Sequence, residues 1–211
     1  FNLVREFVAK SPEQTKEILA TYTDVTIKYL KGQIDAGADC LQVFDSWGGI
    51  LDQGYEEFSL KFINDIRAAI DPVIPLILYA RGMKIMLHLD ATEINCFNLD
   101  KDENIDEYIN KPITIQGNID PNDFNQDEEK VLALAENIYE KYSQCENYVC
   151  NVGSGITPDI DPDKVGFFLQ RLRVLNSKQP FLYCRCNYLA ISCKESASSK
   201  TSRATCMRAI S

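Results

Sequence analysis

Apolar residues along the chain alternate between helical and strand spacing up to about residue 175. Ser11-Pro12-Glu13-Gln14 reads as a helix start, with Ser at the N-cap, Pro at the first helical position and Gln at N3. Ile18, Tyr22, Val25 and Tyr29 follow at helical spacing, and Gly37 is a helix stop. Cys40 to Phe44 is a short buried strand that runs into Asp45-Ser46-Trp47-Gly48-Gly49, a loop. Tyr55, Phe58, Phe62, Ile66 and Ala69 mark a second helix. Ile74 to Ala80 is nearly all apolar, which suits a parallel strand covered on both faces. Met83 to Leu89 predicts a short helix. Ile94–Leu99 and Ile113–Asn118 predict strands. Val131, Ala135, Ile138 and Tyr142 predict a helix. Tyr148 to Val152 is a strand ending at Gly153-Ser154-Gly155. Asp161-Pro162 caps a final helix that turns Val165, Phe168, Leu169, Leu172 and Leu175 inward.

This is a helix followed by about five β-α units of roughly 30 residues each, the size of a βαβ repeat. Strands alternating with helices imply a parallel sheet, closed as a barrel or left open and wound on both faces. A whole (β/α)8 barrel needs roughly 250 residues. The stretch before residue 176 supplies five strands, and an arc of five leaves two unpaired edges. Phe1 is not an initiator Met, so the chain reads as a fragment, a processed product or an incomplete gene reading.

Charge separates the end of the chain from the rest. Residues 176–211 carry +5 and residues 1–175 carry −14, within a total of −9. An acidic body argues against broad nucleic-acid binding, which needs a basic footprint, but leaves room for a locally basic pocket. Four of the eight cysteines (Cys184, Cys186, Cys193, Cys206) lie in that basic, Ser/Cys-rich tail, which is expected to be disordered. Cys40 and Cys96 sit in apolar runs as small hydrophobes. A reduced, cytoplasmic protein is the simplest reading. The longest apolar run, Val73 to Ala80, is far too short to span a bilayer, and no signal peptide opens the chain.

Polar and Gly residues gather where strands end: Asp45 and Ser46, Arg81, Asp100, Asn118 and Asp120, and Gly153-Ser154-Gly155. In parallel architectures this rim is where ligands bind. Ser46 offers a donor, and is equally a turn residue. Gly153-Ser154-Gly155 offers backbone N–H groups to an anion, and is equally a turn of unusual dihedrals. It is neither a nucleophile elbow nor a dinucleotide fingerprint. Asp120 before Pro121 suits an N-cap. His88, the only histidine, lies in an apolar stretch and reads as a packing or surface residue. A His-rich metal site is impossible, and the tail cysteines lack paired zinc-ribbon spacing. Asp100-Lys101-Asp102-Glu103 is a solvated charge run.

Several stretches together resemble the uroporphyrinogen decarboxylase family. Gly32-Gln33-Ile34-Asp35-Ala36-Gly37-Ala38-Asp39 leads into Gln42 to Gly49. Ile74 to Gly82 is similar to a family strand. Ile115-Gln116-Gly117-Asn118-Ile119-Asp120-Pro121 and Asn151 to Ile156, with Pro158-Asp159 and Asp161-Pro162, are similar to two later segments. The resemblance covers about residues 1–175 and corresponds to the C-terminal part of the family. It implies an α/β fold, an incomplete TIM-type (β/α)8 barrel of about the last five β-α units followed by an irregular tail. It implies removal of acetate carboxyl groups from uroporphyrinogen, a tetrapyrrole, to give coproporphyrinogen, without metal or organic cofactor, in a homodimer. It also implies substrate-binding roles for Ser46 and for Phe44 beside it. Ser154 stands where the family has a substrate-contacting His, and Arg81 where it has a Lys. The family's Arg-bearing loop, pyrrole-binding Asp and active-site Tyr correspond to positions before Phe1, so no catalytic residue is assigned.

Two function classes follow. One is an enzyme of porphyrin biosynthesis whose fragment is inactive alone. The other is a non-catalytic barrel remnant that binds anions or a partner through an open strand edge. A corrinoid-dependent methyltransferase would need a His/Cys zinc site, and His88 has no Cys two residues away.

Overall fold

The computed structural model describes residues 1–178 except 144 and 146. The chain divides into two compact units, Phe1–Asp100 and Lys101–Ser211. Five strands alternate with helices, three in the first unit and two in the second, and every described pair is parallel. This is the α/β arrangement expected from the sequence.

The first unit opens with helices α1 (Asn2–Lys10) and α2 (Pro12–Asp35). Helix α1 is absent from the sequence-based reading, although Leu3, Val4, Phe7 and Val8 recur at helical spacing, and none of its residues is buried. Pro12 does take the first turn of α2, but the Ser11 side chain makes no capping bond. Instead the Thr15 hydroxyl donates to the Ser11 carbonyl at 2.9 Å. Gly37 ends α2 with φ +99°, a left-handed conformation open to glycine, and Ala38 N–H reaches back to the Gln33 carbonyl. The stripe Ile18, Tyr22, Val25 and Tyr29 is exposed, Tyr22 at 67%. The residues of α2 that are buried are Thr15, Thr23 and Leu30.

Strand β1 (Leu41–Asp45) pairs in register with β2 (Leu76–Ala80), from Leu41 opposite Leu76 to Asp45 opposite Ala80. Strand β3 (Cys96–Asn98) pairs with the other side of β2. All of β2 is buried, as its unbroken apolar sequence demands. The helix expected over Tyr55 to Ala69 forms in two pieces, with a 3-10 segment ahead of them. A 3-10 segment spans Gly48–Gly54, a π turn spans Glu56–Leu60, and helix α3 spans Lys61–Ala69. Tyr55, Leu60, Phe62, Ile63 and Ile66 carry its buried face. The short helix expected from Met83 is a 3-10 turn, Ile85–Ala91.

In the second unit β4 (Thr114–Gln116) is followed by α4 (Glu128–Tyr142), and β5 (Tyr148–Val149) by α5 (Pro162–Lys178). The strand expected through Val152 is regular only to Val149; beyond it Ile119 and Val152 form a single parallel bridge. Val131, Ala135, Phe168, Leu169 and Leu172 pack with Ile119, Phe124 and Ile160 into one core. Phe124 meets Phe168 edge to face, with ring centroids 5.3 Å apart. Asp127 caps α4 through Lys130 N–H, and Asp161 accepts from Asp163 N–H at the start of α5. Helix α5 continues past the expected boundary at 175 to Lys178. Residues 179–211, including Cys184, Cys186, Cys193 and Cys206, lie outside the described residues.

Candidate functional site

The tip of β1 is built around two glycines. A Cβ on Gly48 would stand 2.6 Å from Asp45 Oδ2 and 2.7 Å from the Tyr55 ring. A Cβ on Gly49 would stand 2.7 Å from the backbone of Arg81 and Gly82. Neither glycine has positive φ. They are needed because the loop threads between the β1 carboxylate and the backbone after β2. Gly49 N–H donates to the Arg81 carbonyl at 3.0 Å, which joins the two strand tips.

That loop carries Ser46. Its hydroxyl makes no hydrogen bond among the described residues, so the turn-residue reading gains no capping bond. Phe44 is 63% exposed and packs its ring against Tyr79 at 6.0 Å, edge to face. Phe44 and Ser46 therefore sit together at the open end of β1. Beside them Arg81 Nε donates to the Tyr79 hydroxyl at 3.1 Å. The Arg81 guanidinium lies 5.7 Å from the Trp47 ring centroid and 6.0 Å from that of Tyr79. Phe1 covers another part of Trp47 at 4.5 Å.

Behind the loop, Ser59 donates to Asp45 Oδ2 at 2.6 Å. Burial pushes the Asp45 carboxyl above the usual carboxylate range, and the hydrogen bond from Ser59 opposes the rise. Burial and the Asp45 charge hold the Tyr55 hydroxyl far above its ordinary range. His88 Nδ1 lies 2.7 Å from Glu56 Oε1, and its ring packs on Tyr55 at 5.2 Å. His88 is thus the packing residue its apolar neighbours suggested. Sequence reasoning missed the Asp45, Ser59 and Tyr55 group. A signal existed, because Asp45 was among the polar residues at the strand ends, but its partners lie ten or more positions downstream.

In the second unit, Asn118 and Asp120 follow β4 and Ser154 follows β5. Asp120 is an N-cap: its carboxylate accepts from Asn122 N–H at 2.9 Å, and that bond lowers its pKa most. Lys101 also reaches Asp120 at 3.4 Å. Asn118 Nδ2 donates to the Glu103 carbonyl. The peptide bond between Gly117 and Asn118 is cis. Ser154 is half-buried, and its hydroxyl makes no hydrogen bond among the described residues. One expectation for its loop needs correction, and a second is narrowed. Gly153 and Gly155 do not have positive φ, so the turn needs no unusual dihedrals. Gly153 N–H is already committed to the Ile119 carbonyl at 2.8 Å, so it is not available to cradle an anion. Burial pushes the nearby Cys150 thiol up to about 12, which makes it a poor nucleophile at neutral pH.

Among the described residues no group of three or more His, Cys, Asp or Glu side chains is arranged to hold a metal ion. No described helix is long and apolar enough to cross a membrane.

Comparison with known proteins agrees with these motifs. The family described as "Uroporphyrinogen decarboxylase (URO-D)" matches residues 1–174. A protein of Dichelobacter nodosus named uroporphyrinogen decarboxylase is 31% identical over 182 residues, which is 83% of this chain and 52% of that protein. Relatives of the same name from Hydrogenovibrio crunogenus and Chlorobaculum parvum are each 32% identical, covering 84% and 75% of this chain and 53% and 48% of their own lengths. The chain spans about half the length of the curated relatives it matches.

Proposed function

The chain belongs to the uroporphyrinogen decarboxylase family, and on that premise we propose that it forms the C-terminal part of a cofactor-independent carboxy-lyase acting on uroporphyrinogen. The observation that carries this reading is the rim at the end of β1, where an uncommitted hydroxyl (Ser46), an exposed ring (Phe44) and a cation (Arg81) lie together. A tetrapyrrole with many carboxylate arms presents the complementary set, an apolar macrocycle edged with anions.

The chemistry is self-contained. Protonating a pyrrole carbon turns the ring into an electron sink. The bond between the acetate methylene and its carboxylate then breaks, its electron pair moves into the ring, and carbon dioxide leaves. Reprotonation of the methylene gives a methyl group, and loss of the ring proton restores the pyrrole. Within this scheme the residues of this chain bind and orient. Ser46 and Ser154 donate hydrogen bonds to carboxylates, and Phe44 walls the macrocycle. The serine at 154 supplies a donor without the positive charge that a histidine could carry. The groups that hold the pyrrole N–H and move the proton belong to the part of the family that precedes the matched segment. The homodimer and a cytoplasmic location are carried in the same proposal by the resemblance.

The test is anaerobic incubation with uroporphyrinogen of the chain alone and of the chain joined to the preceding half of the Dichelobacter nodosus relative. The joined protein is expected to yield coproporphyrinogen and the chain alone none. A joined protein that folds but releases no carbon dioxide overturns the proposal and favours the non-catalytic barrel remnant.

A further inference from the structure

We propose that Arg81 is a carboxylate anchor at this rim, its guanidinium held in place by Tyr79 and Trp47 with its outer edge free for a ligand. The inference rests on the reading of the rim as a binding surface for a polycarboxylate, and adds the residue that supplies its positive charge.

The other arginines of the first unit show the contrast. Arg67 is consumed by structure: its Nη1 donates to the Ile74 carbonyl at 2.8 Å and its Nη2 to the carbonyls of Ile70 and Asp71. Arg5 gives its Nε to the Ile50 carbonyl. Arg81 also spends only its Nε, on the Tyr79 hydroxyl, but it does so at the strand tip. Its two Nη groups make no hydrogen bond or ion pair among the described residues, although the body around it is strongly acidic. The Tyr79 hydrogen bond favours its charged form most, and Asp100 adds to this through space.

The geometry also limits how the group can move. One hydrogen bond and two aromatic rings, 5.7 and 6.0 Å from its centre, restrain the guanidinium. A restrained fork loses less entropy on capturing a carboxylate than a free side chain does. Phe44 packs on the same Tyr79 ring, and Gly49 ties the Ser46 loop to the Arg81 carbonyl. Donor, ring and cation therefore belong to one mouth. A planar carboxylate accepting from the free Nη edge would form the two-bond pair that arginine favours.

Trp47 is the only tryptophan in the chain and its ring centroid lies 5.7 Å from this guanidinium, so its emission reports the site. The full chain is titrated with butane tetracarboxylate, which does not absorb Trp emission, and with uroporphyrin. Affinity is read by calorimetry and location by Trp47 fluorescence, at low salt. Saturable binding of the tetracarboxylate with a change in Trp47 emission is expected. R81Q should weaken it about tenfold, while R81K, which keeps the charge but not the fork, falls between. Unfolding temperatures of both variants should stay close to that of the parent chain, since Arg81 makes a single side-chain hydrogen bond. Equal affinity of the parent and R81Q for both ligands, within about twofold, overturns the proposal, as does absence of binding by the parent. If the tetracarboxylate binds through Arg81 but uroporphyrin binds no better, the anchor stands and the tetrapyrrole reading falls. If uroporphyrin binds the parent and R81Q alike, the tetrapyrrole reading stands and the anchor falls.

Discussion

The Ser59 hydroxyl donates a 2.6 Å hydrogen bond to the Asp45 carboxylate, joining the end of β1 to a turn 14 residues later. This bond holds a partly desolvated acid directly behind the loop that carries Ser46.

Removing the donor should therefore cost more than an average surface change. S59A leaves the Asp45 carboxylate buried with one partner fewer, and is expected to destabilise the first unit by about 1–3 kcal/mol. Denaturant unfolding at neutral pH measures this. A loss below about half a kcal/mol would mean that the bond is not formed in solution.

The same acid has a pH signature with a definite sign. Its folded-state pKa is raised, chiefly by burial, so the folded protein binds the proton more tightly than the unfolded chain. Stability should then fall as pH rises from the unfolded carboxylate value of 3.8 through the raised folded value. D45N removes this dependence while keeping an acceptor for Ser59. The difference in unfolding free energy between the parent and D45N, followed across that range, should shift in favour of D45N as pH rises. A flat difference would show that Asp45 is solvated.

Asp120 is expected to behave in the opposite way. Its pKa is lowered, first by the Asn122 backbone N–H, so its contribution is present above 3.8 and lost as pH falls through its lower folded value. D120A removes the cap and should cost about 1 kcal/mol, whereas D120N should recover most of it. Chemical denaturation of the three proteins at pH 7 checks the order.

Two glycines should respond differently to one added methyl group. G49A places a Cβ 2.7 Å from the backbone of Arg81 and Gly82, so the loop must move. A loss of about 1–3 kcal/mol and weaker polycarboxylate binding are expected. Nothing lies within 4 Å of a Cβ on Gly155, and its φ is not positive. G155A should be neutral or slightly stabilising, through a less flexible unfolded chain. Thermal melts of the pair give the comparison.

The family's histidine position offers a functional test. In the protein joined to the preceding half of a relative, S154H is expected to raise turnover of uroporphyrinogen, with the gain fading as pH rises above the ordinary histidine range of about 6.5. Unchanged turnover at all pH values would show that a neutral donor suffices there.

The sequence determined the parallel strands and the cores of both units, because both are written in local periodicity. The apolar run of β2 and the spacing of Val131, Ala135, Phe168, Leu169 and Leu172 could not be placed in any solvent-facing element without exposing what they bury. It also marked the strand tips that carry Phe44, Ser46 and Ser154. Tertiary structure alone decided which way the stripe of Ile18, Tyr22, Val25 and Tyr29 faces, since periodicity defines a face but not what covers it. It likewise decided why Gly48 and Gly49 are glycines and which groups hold Asp45 and Arg81. The Asp45–Ser59 bond and the approach of Gly49 to Arg81 join residues far apart in the chain, and such contacts leave no mark on the local spacing that a sequence displays.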